Sequence, residues 1–104
     1  MSVETRHLTG RVDVKLIRLL EKISREEKVD RSAALRKVLG IGIREYLKRK
    51  AVEDYRRGKI SIGRAAEEAE VSVAEFCRIL ADEGVPIKID TKVLEEDLKS
   101  DLLE

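Results

Sequence analysis

The chain has 104 residues, of which 41% are charged and 3% aromatic. That length allows one domain or two very small ones, and the charge density excludes a membrane-embedded protein, since no apolar run approaches the roughly 20 residues a span needs. The net charge of +1 conceals a split: residues 1–50 carry 14 Lys and Arg against 7 Asp and Glu, whereas residues 51–104 carry 8 against 14.

In chain order, Thr5 to Val12, "TRHLTGRV", is the first predicted element, a short strand. By period-two alternation Leu8 and Val12 share one face, with Gly10 between them, and His7, Thr9 and Arg11 share the other. Asp13 is a candidate N-cap. The following "VKLIRLLEKISREEK" reads as a helix, with Leu16, Leu19, Leu20 and Ile23 at three-to-four spacing. After a short "VDR" connection, Ser32 is the expected cap of a second helix carrying Leu35, Val38, Leu39, Ile43, Tyr46 and Leu47 along one stripe. Gly40 and Gly42 fall inside it; each costs roughly 1 kcal/mol against alanine, which points to a second backbone passing close by or to a packed neighbour overriding propensity. The helix is expected to run through "KRKAVEDYRR" and stop at Gly58, a natural C′ residue after basic side chains.

The second half opens on "SIGRAAEEAEVSVAEF". Ser61 and Ser72 are N-caps for two short helices at about 62–69 and 73–83, broken at Glu70–Val71, and Ala65 and Ala66 are small enough for a close helix crossing. Gly84 ends the second and Pro86 forbids its continuation. "VPIKID" reads as extended, with Val85, Ile87 and Ile89 alternating. Thr91 then caps a last helix whose stripe is Val93, Leu94, Leu98 and Leu102.

One strand and two amphipathic helices within about 45 residues cannot bury enough surface alone, and a lone strand leaves its backbone donors unpaired. Two copies resolve both problems: the strands pair antiparallel about a twofold axis and four helices interlock beneath. The resulting ribbon shows His7, Thr9 and Arg11 outward, and a two-stranded ribbon fits the major groove of B-DNA. A basic front half suits such a polyanion, and an acidic back half suits a basic protein surface.

Residues 5–50 resemble the ribbon-helix-helix repressors, through the alternation in "HLTGRV", Asp13 opening the first helix and "DRSAALRKVL" opening the second. The resemblance implies base reading by His7, Thr9 and Arg11 and a phosphate clamp at Arg31, Ser32 and Ala33, where unpaired helix N–H groups meet an anion. The chain departs from the commoner pattern at Gly10, where a β-branched residue is usual, and at Asp13, where proline is frequent. Residues 51–104 resemble a small uncharacterised prokaryotic family, carrying "GKIS.G.AAE.A..S..EF", a Gly-x-Pro and an acidic "LEEDL" in order. Members of that family are often encoded beside PIN-like ribonuclease toxins and are regarded as their antitoxins. Together the halves look like a VapB-like antitoxin. The implied fold is mainly α: a ribbon-helix-helix over residues 1–50, then a helix-turn-helix-like module and a C-terminal helix over residues 51–104. The implied partners are double-stranded DNA, a second copy of the chain and a PIN-like nuclease toxin. A stand-alone ribbon-helix-helix regulator without a toxin is the alternative.

The helix-turn-helix-like segment is a poor DNA reader on charge. Between Ser61 and Gly84, Arg64 and Arg78 face six acidic residues, a local net of −4 that opposes phosphate. Its expected role is to pack a small core and present an acidic surface to a protein. Leu94, Leu98 and Leu102 have the spacing of a helix docked in a groove, and Glu95, Glu96 and Asp97 would engage a basic rim. That docking is expected to use the whole segment 85–104, on the partner.

His7 is the only histidine and Cys77 the only cysteine, so no metal-ligand or nucleophile pattern forms. Cys77 is expected as a buried core thiol. No cofactor, metal or enzymatic activity is expected. The lone cysteine and the polar N-terminus without a leader fit a cytoplasmic protein. The absence of Asn and Gln points to a hyperthermophilic source.

Overall fold

The computed structural model describes residues 3–88. They form four helices: α1 (Val14–Glu27), α2 (Arg31–Arg56), α3 (Ile62–Ala69) and α4 (Val73–Asp82). The chain divides into two compact units, Met1–Leu39 and Gly40–Glu104. The helical class is as expected; the N-terminal strand is not. Residues 3–12 carry no regular secondary structure. A strand exists only through ladder bonds to a neighbour, and among the described residues there is no second strand to pair with Thr5–Val12.

In the first unit, Asp13 caps α1 by accepting from the Lys15 backbone N–H at 2.8 Å. The helix ends at Lys28, whose φ of +56° is left-handed. There the Lys28 N–H donates to the Arg25 carbonyl and the Val29 N–H to the Ser24 carbonyl. The cap of α2 is Asp30, correcting the expectation for Ser32. The Asp30 carboxylate accepts from the Ala33 N–H at 2.7 Å, and its carbonyl accepts from the Ala34 N–H at 3.0 Å. Aspartate caps as well as serine and adds a negative charge at the positive end of the helix dipole, so the helix starts two residues earlier. Arg31–Glu21 (3.8 Å) and Lys37–Glu27 (3.2 Å) join α1 to α2.

This unit has almost no core. Among its described residues only Ala34 is buried, while Leu8, Val12, Leu16, Leu19, Leu35 and Leu39 are exposed. Gly10 has nothing within 4 Å of where a Cβ would stand.

The second unit is better filled. Along α2, Glu45 pairs with Lys48 and Arg49, Lys50 with Asp54, and Glu53 with Arg56 and Arg57, all at helical spacing. Such pairs each support a helix by a few tenths of a kcal/mol. The helix ends as expected at Gly58 (φ +77°), with Gly58 N–H donating to Tyr55 and Lys59 N–H to Asp54. Ser61 and Ser72 cap α3 and α4 by accepting from the Arg64 and Glu75 N–H groups at 3.1 and 3.0 Å. Between those helices Glu70 takes φ +58° and closes α3, with Glu70 N–H on Glu67 and Val71 N–H on Ala66. Gly84 (φ +69°) closes α4 in the same way, through Gly84 to Ala81 and Val85 to Leu80. All four helices therefore end in the same two-bond Schellman turn, on glycine twice and on a lysine and a glutamate once each.

The core of this unit is Ala51 and Tyr55 from α2, an alanine face of α3, and Val73, Phe76, Ile79 and Leu80 from α4. Ala65 and Ala66 let α3 sit close against α4, as their size implied, and Ala69 is buried beside them. Phe76 and Leu80 are the largest fully buried side chains, and the Tyr55 ring meets Phe76 edge-on at 6.1 Å and 85°. Cys77 is half-buried and packs against this core; it is not fully enclosed as expected. Residues 85–88 cross the core as an irregular segment: Val85 and Ile87 pack inward, and Pro86 and Lys88 stay exposed.

Candidate functional site

The residues expected to meet DNA lie on the first unit and at the start of α2. His7, Thr9 and Arg11 are exposed in the segment before α1, and no hydrogen bond or ion pair links them to each other among the described residues. In that segment Arg6 pairs with Glu4 at 2.7 Å. The single chain therefore displays the three side chains without assembling them on a common surface. Only a paired backbone fixes alternate side chains on one face.

At the α2 N-terminus, Arg31 and Ser32 are exposed in the first turn. The Arg31 guanidinium lies 3.8 Å from Glu21, a weak exposed pair that a phosphate can replace. Ala33 is different: its N–H already donates to Asp30, so it is not available to an anion. The Asp30 carboxylate also places a negative charge in that turn. Of the three expected clamp residues, Arg31 and Ser32 are exposed, and the Ala33 N–H is engaged by Asp30. Asp30 and Ser32 are both good caps two residues apart, and the aspartate is the one whose side chain accepts from the first turn.

The helix-turn-helix-like pair offers phosphate little. Arg64 is flanked by Glu67 and Glu68, each at 3.6 Å, and Arg78 pairs with Glu75 at 2.8 Å. Both arginines are matched by glutamates on their own helices, so the exposed surface keeps its acidic balance. Lys50 and Asp54 lie near this surface on α2; the Lys50 ammonium is held above its ordinary pKa by Asp54 first, with Glu68 adding to the effect.

The expected partner contacts Leu94, Glu95, Glu96, Asp97, Leu98 and Leu102 lie outside the described residues. The start of the proposed docking segment is corrected: Val85, Ile87 and Lys88 are engaged with their own chain. The Lys88 N–H donates to the Tyr55 hydroxyl at 2.7 Å, and the Lys88 Nζ donates to the Arg56 carbonyl at 3.2 Å. Proline at position 86 removes one donor, and the alternating apolar pair Val85 and Ile87 packs against the small core.

Among the described residues no group of three or more His, Cys, Asp or Glu could hold a metal ion, and no helix is long and apolar enough to cross a membrane. What the described residues define is a helical chain with one well-packed unit of three helices and one unit that exposes its apolar side chains. The chain belongs to an uncharacterised protein family, UPF0175, whose profile matches residues 30–100. That match starts at the Asp30 cap of α2. A UPF0175 protein of Archaeoglobus fulgidus is 42% identical over 48 residues, covering 46% of this chain and 55% of that protein. The chain thus spans about half the length of that curated relative. No solved structure matches.

Proposed function

We propose that this chain is a non-enzymatic, dimeric DNA-binding antitoxin and transcriptional repressor. The observation that carries the reading is the state of the first unit: basic, with Ala34 its one buried residue among those described, and with leucines and valines exposed along the segment before α1, α1 and α2. A unit of that size needs a second copy to acquire a core. The second copy also supplies the ladder that Thr5–Val12 lacks. In the paired ribbon His7, Thr9 and Arg11 of each copy face base edges, while Arg31 and the first turn of α2 rest on phosphate.

The acidic second unit serves the other partner. Its surface repels nucleic acid and suits a protein that must itself bind RNA, a PIN-like nuclease toxin. Contact falls to Leu94, Leu98 and Leu102 with Glu95, Glu96 and Asp97, beyond the part of the chain that Tyr55 holds in place.

Co-expression with the product of the adjacent reading frame tests the reading. The full chain is expected to co-purify with that product, relieve its toxicity and bind DNA from its own upstream region as a dimer. A chain ending at Lys88 is expected to keep dimerisation and DNA binding and to lose neutralisation. DNA binding by a dimer with no capture of the neighbour's product would favour a stand-alone regulator. A monomer without DNA affinity would remove the reading altogether.

A further inference from the structure

Glycine at position 42 has no explanation within its own chain. It lies well inside α2, where alanine is the better helix former, its φ is not left-handed, and nothing stands within 4 Å of where its Cβ would be. Neither backbone conformation nor a close neighbour in the same chain calls for glycine. Its position along the helix does. Leu35, Leu39, Gly42 and Tyr46 follow one another at spacings of four, three and four, and so share one face. The three large members of that face are 48%, 42% and 65% exposed. Val38 and Ile43 flank the face and are exposed too, and no charged residue falls among these six positions. The face is an apolar stripe with a notch at its middle.

We infer that Gly42 marks the point where α2 of one copy crosses α2 of a second copy, the notch of each receiving the backbone of the other. The inference rests on the dimeric reading given above and names its contact. A second copy is the occupant for three reasons. The Met1–Leu39 unit has one buried residue among those described and is too small to supply its own core. An uncharged stripe can meet its own image without bringing like charges together. A twofold axis places identical residues opposite each other, so one notch serves both chains. Close approach then sets Leu39 and Tyr46 of each copy on either side of the crossing.

Gly40 provides an internal control. It sits two residues away, on nearly the opposite side of the helix, where a Cβ would make only ordinary contact with the flexible end of Arg44, at 3.6 Å. Both glycines carry the same helix penalty, but only one is on the stripe. Gly40→Ala and Gly42→Ala are to be made in the full chain and compared with wild type by equilibrium sedimentation and by thermal unfolding at several protein concentrations. Gly40→Ala is expected to raise the midpoint and to leave the dimer at least as tight as wild type. Gly42→Ala is expected to lower the midpoint and to weaken the dimer by about tenfold or more, since an added methyl overpacks a close crossing. Outright failure of Gly42→Ala to fold, beside a stabilised Gly40→Ala, is the extreme form of the same result. The inference is overturned if Gly42→Ala dimerises as tightly as wild type or more so, in which case the dimeric reading stands and only the crossing point is wrong. A wild-type chain that sediments as a monomer overturns the dimeric reading and this contact together.

Discussion

The hydroxyl of Tyr55 accepts a 2.7 Å hydrogen bond from the backbone N–H of Lys88, across 33 positions of chain. The ring that carries this hydroxyl packs edge-on against Phe76, so one side chain closes the small core and pins the segment that leaves it. Tyr55→Phe keeps the ring and removes the acceptor. It is expected to destabilise the second unit by about 0.5–1.5 kcal/mol in urea unfolding, the usual net worth of such a bond. Amide exchange at Lys88 is expected to speed up while exchange within α4 changes only in proportion to global stability. Unaltered exchange at Lys88 would mean that Val85 and Ile87 alone hold the segment.

The start of α2 separates two candidate caps. Asp30→Ala removes the side chain that accepts from Ala33 and is expected to lower stability by about 1 kcal/mol. Ser32→Ala, at an exposed position within the first turn, is expected to change it by no more than about 0.5 kcal/mol. Thermal unfolding of both variants decides the assignment, and the reverse order would restore Ser32 as the cap.

Glu70 adopts a left-handed backbone that side-chain-bearing residues rarely take. Gly58 and Gly84 occupy the corresponding positions of α2 and α4. Glu70→Gly is expected to stabilise the second unit by about 1 kcal/mol by relieving that conformation. A denaturation midpoint equal to or below wild type would show that the added freedom of the unfolded chain outweighs the relief.

Acid exposes the charge network at the end of α2. Hydrogen bonds from Arg56 first and Arg57 next hold the Glu53 carboxyl down from its ordinary 4.5 to about 2. A depressed acid contributes its stabilisation in full above its ordinary value and loses it as pH falls towards the folded value. Wild type and Glu53→Gln are therefore expected to differ most above pH 4.5 and to converge near pH 2. The group is exposed, so about 1 M salt should shrink the difference. Carboxyl titration by NMR gives the value directly; a midpoint near 4.5 would show that the two arginines do not hold it in solution.

On the proposed function, four arginines sort the DNA contacts. Arg11→Ala is expected to relax sequence preference and cost about 1–3 kcal/mol if it makes a bidentate base contact. Arg31→Ala is expected to weaken all sequences alike and to reduce the salt slope by about 1. Arg64→Ala and Arg78→Ala, already matched by glutamates, are expected to bind operator DNA as wild type does. The opposite pattern in fluorescence-anisotropy titrations would move DNA reading to α3 and α4.

Local signals proved legible and non-local ones did not. Asp13, Ser61 and Ser72 cap the helices expected of them, and Gly58 and Gly84 end the helices before them, because caps and left-handed turns are written in one or two residues. Lys28 and Glu70 make the same turn without a glycine to mark it, and the break expected at Glu70–Val71 is where α3 ends. At Asp30–Ser32 two good caps stand so close that spacing alone does not choose. The Thr5–Val12 strand depends on a partner strand, and nothing within the described chain forms it. The Tyr55–Lys88 bond joins distant positions through a hydroxyl, and no periodicity in either segment announces it.

Ala34 as the lone buried residue of the described first unit has a consequence for how the protein responds to its own abundance. A unit that gains its core only by association has a folded fraction set by mass action. On the proposed dimeric reading, dilution acts on it as a denaturant, with the second unit left folded around Phe76. Falling copy number would open the N-terminal half to proteases at ordinary temperature, and synthesis of new chains would close it again. Such a protein measures its own concentration before any ligand is involved.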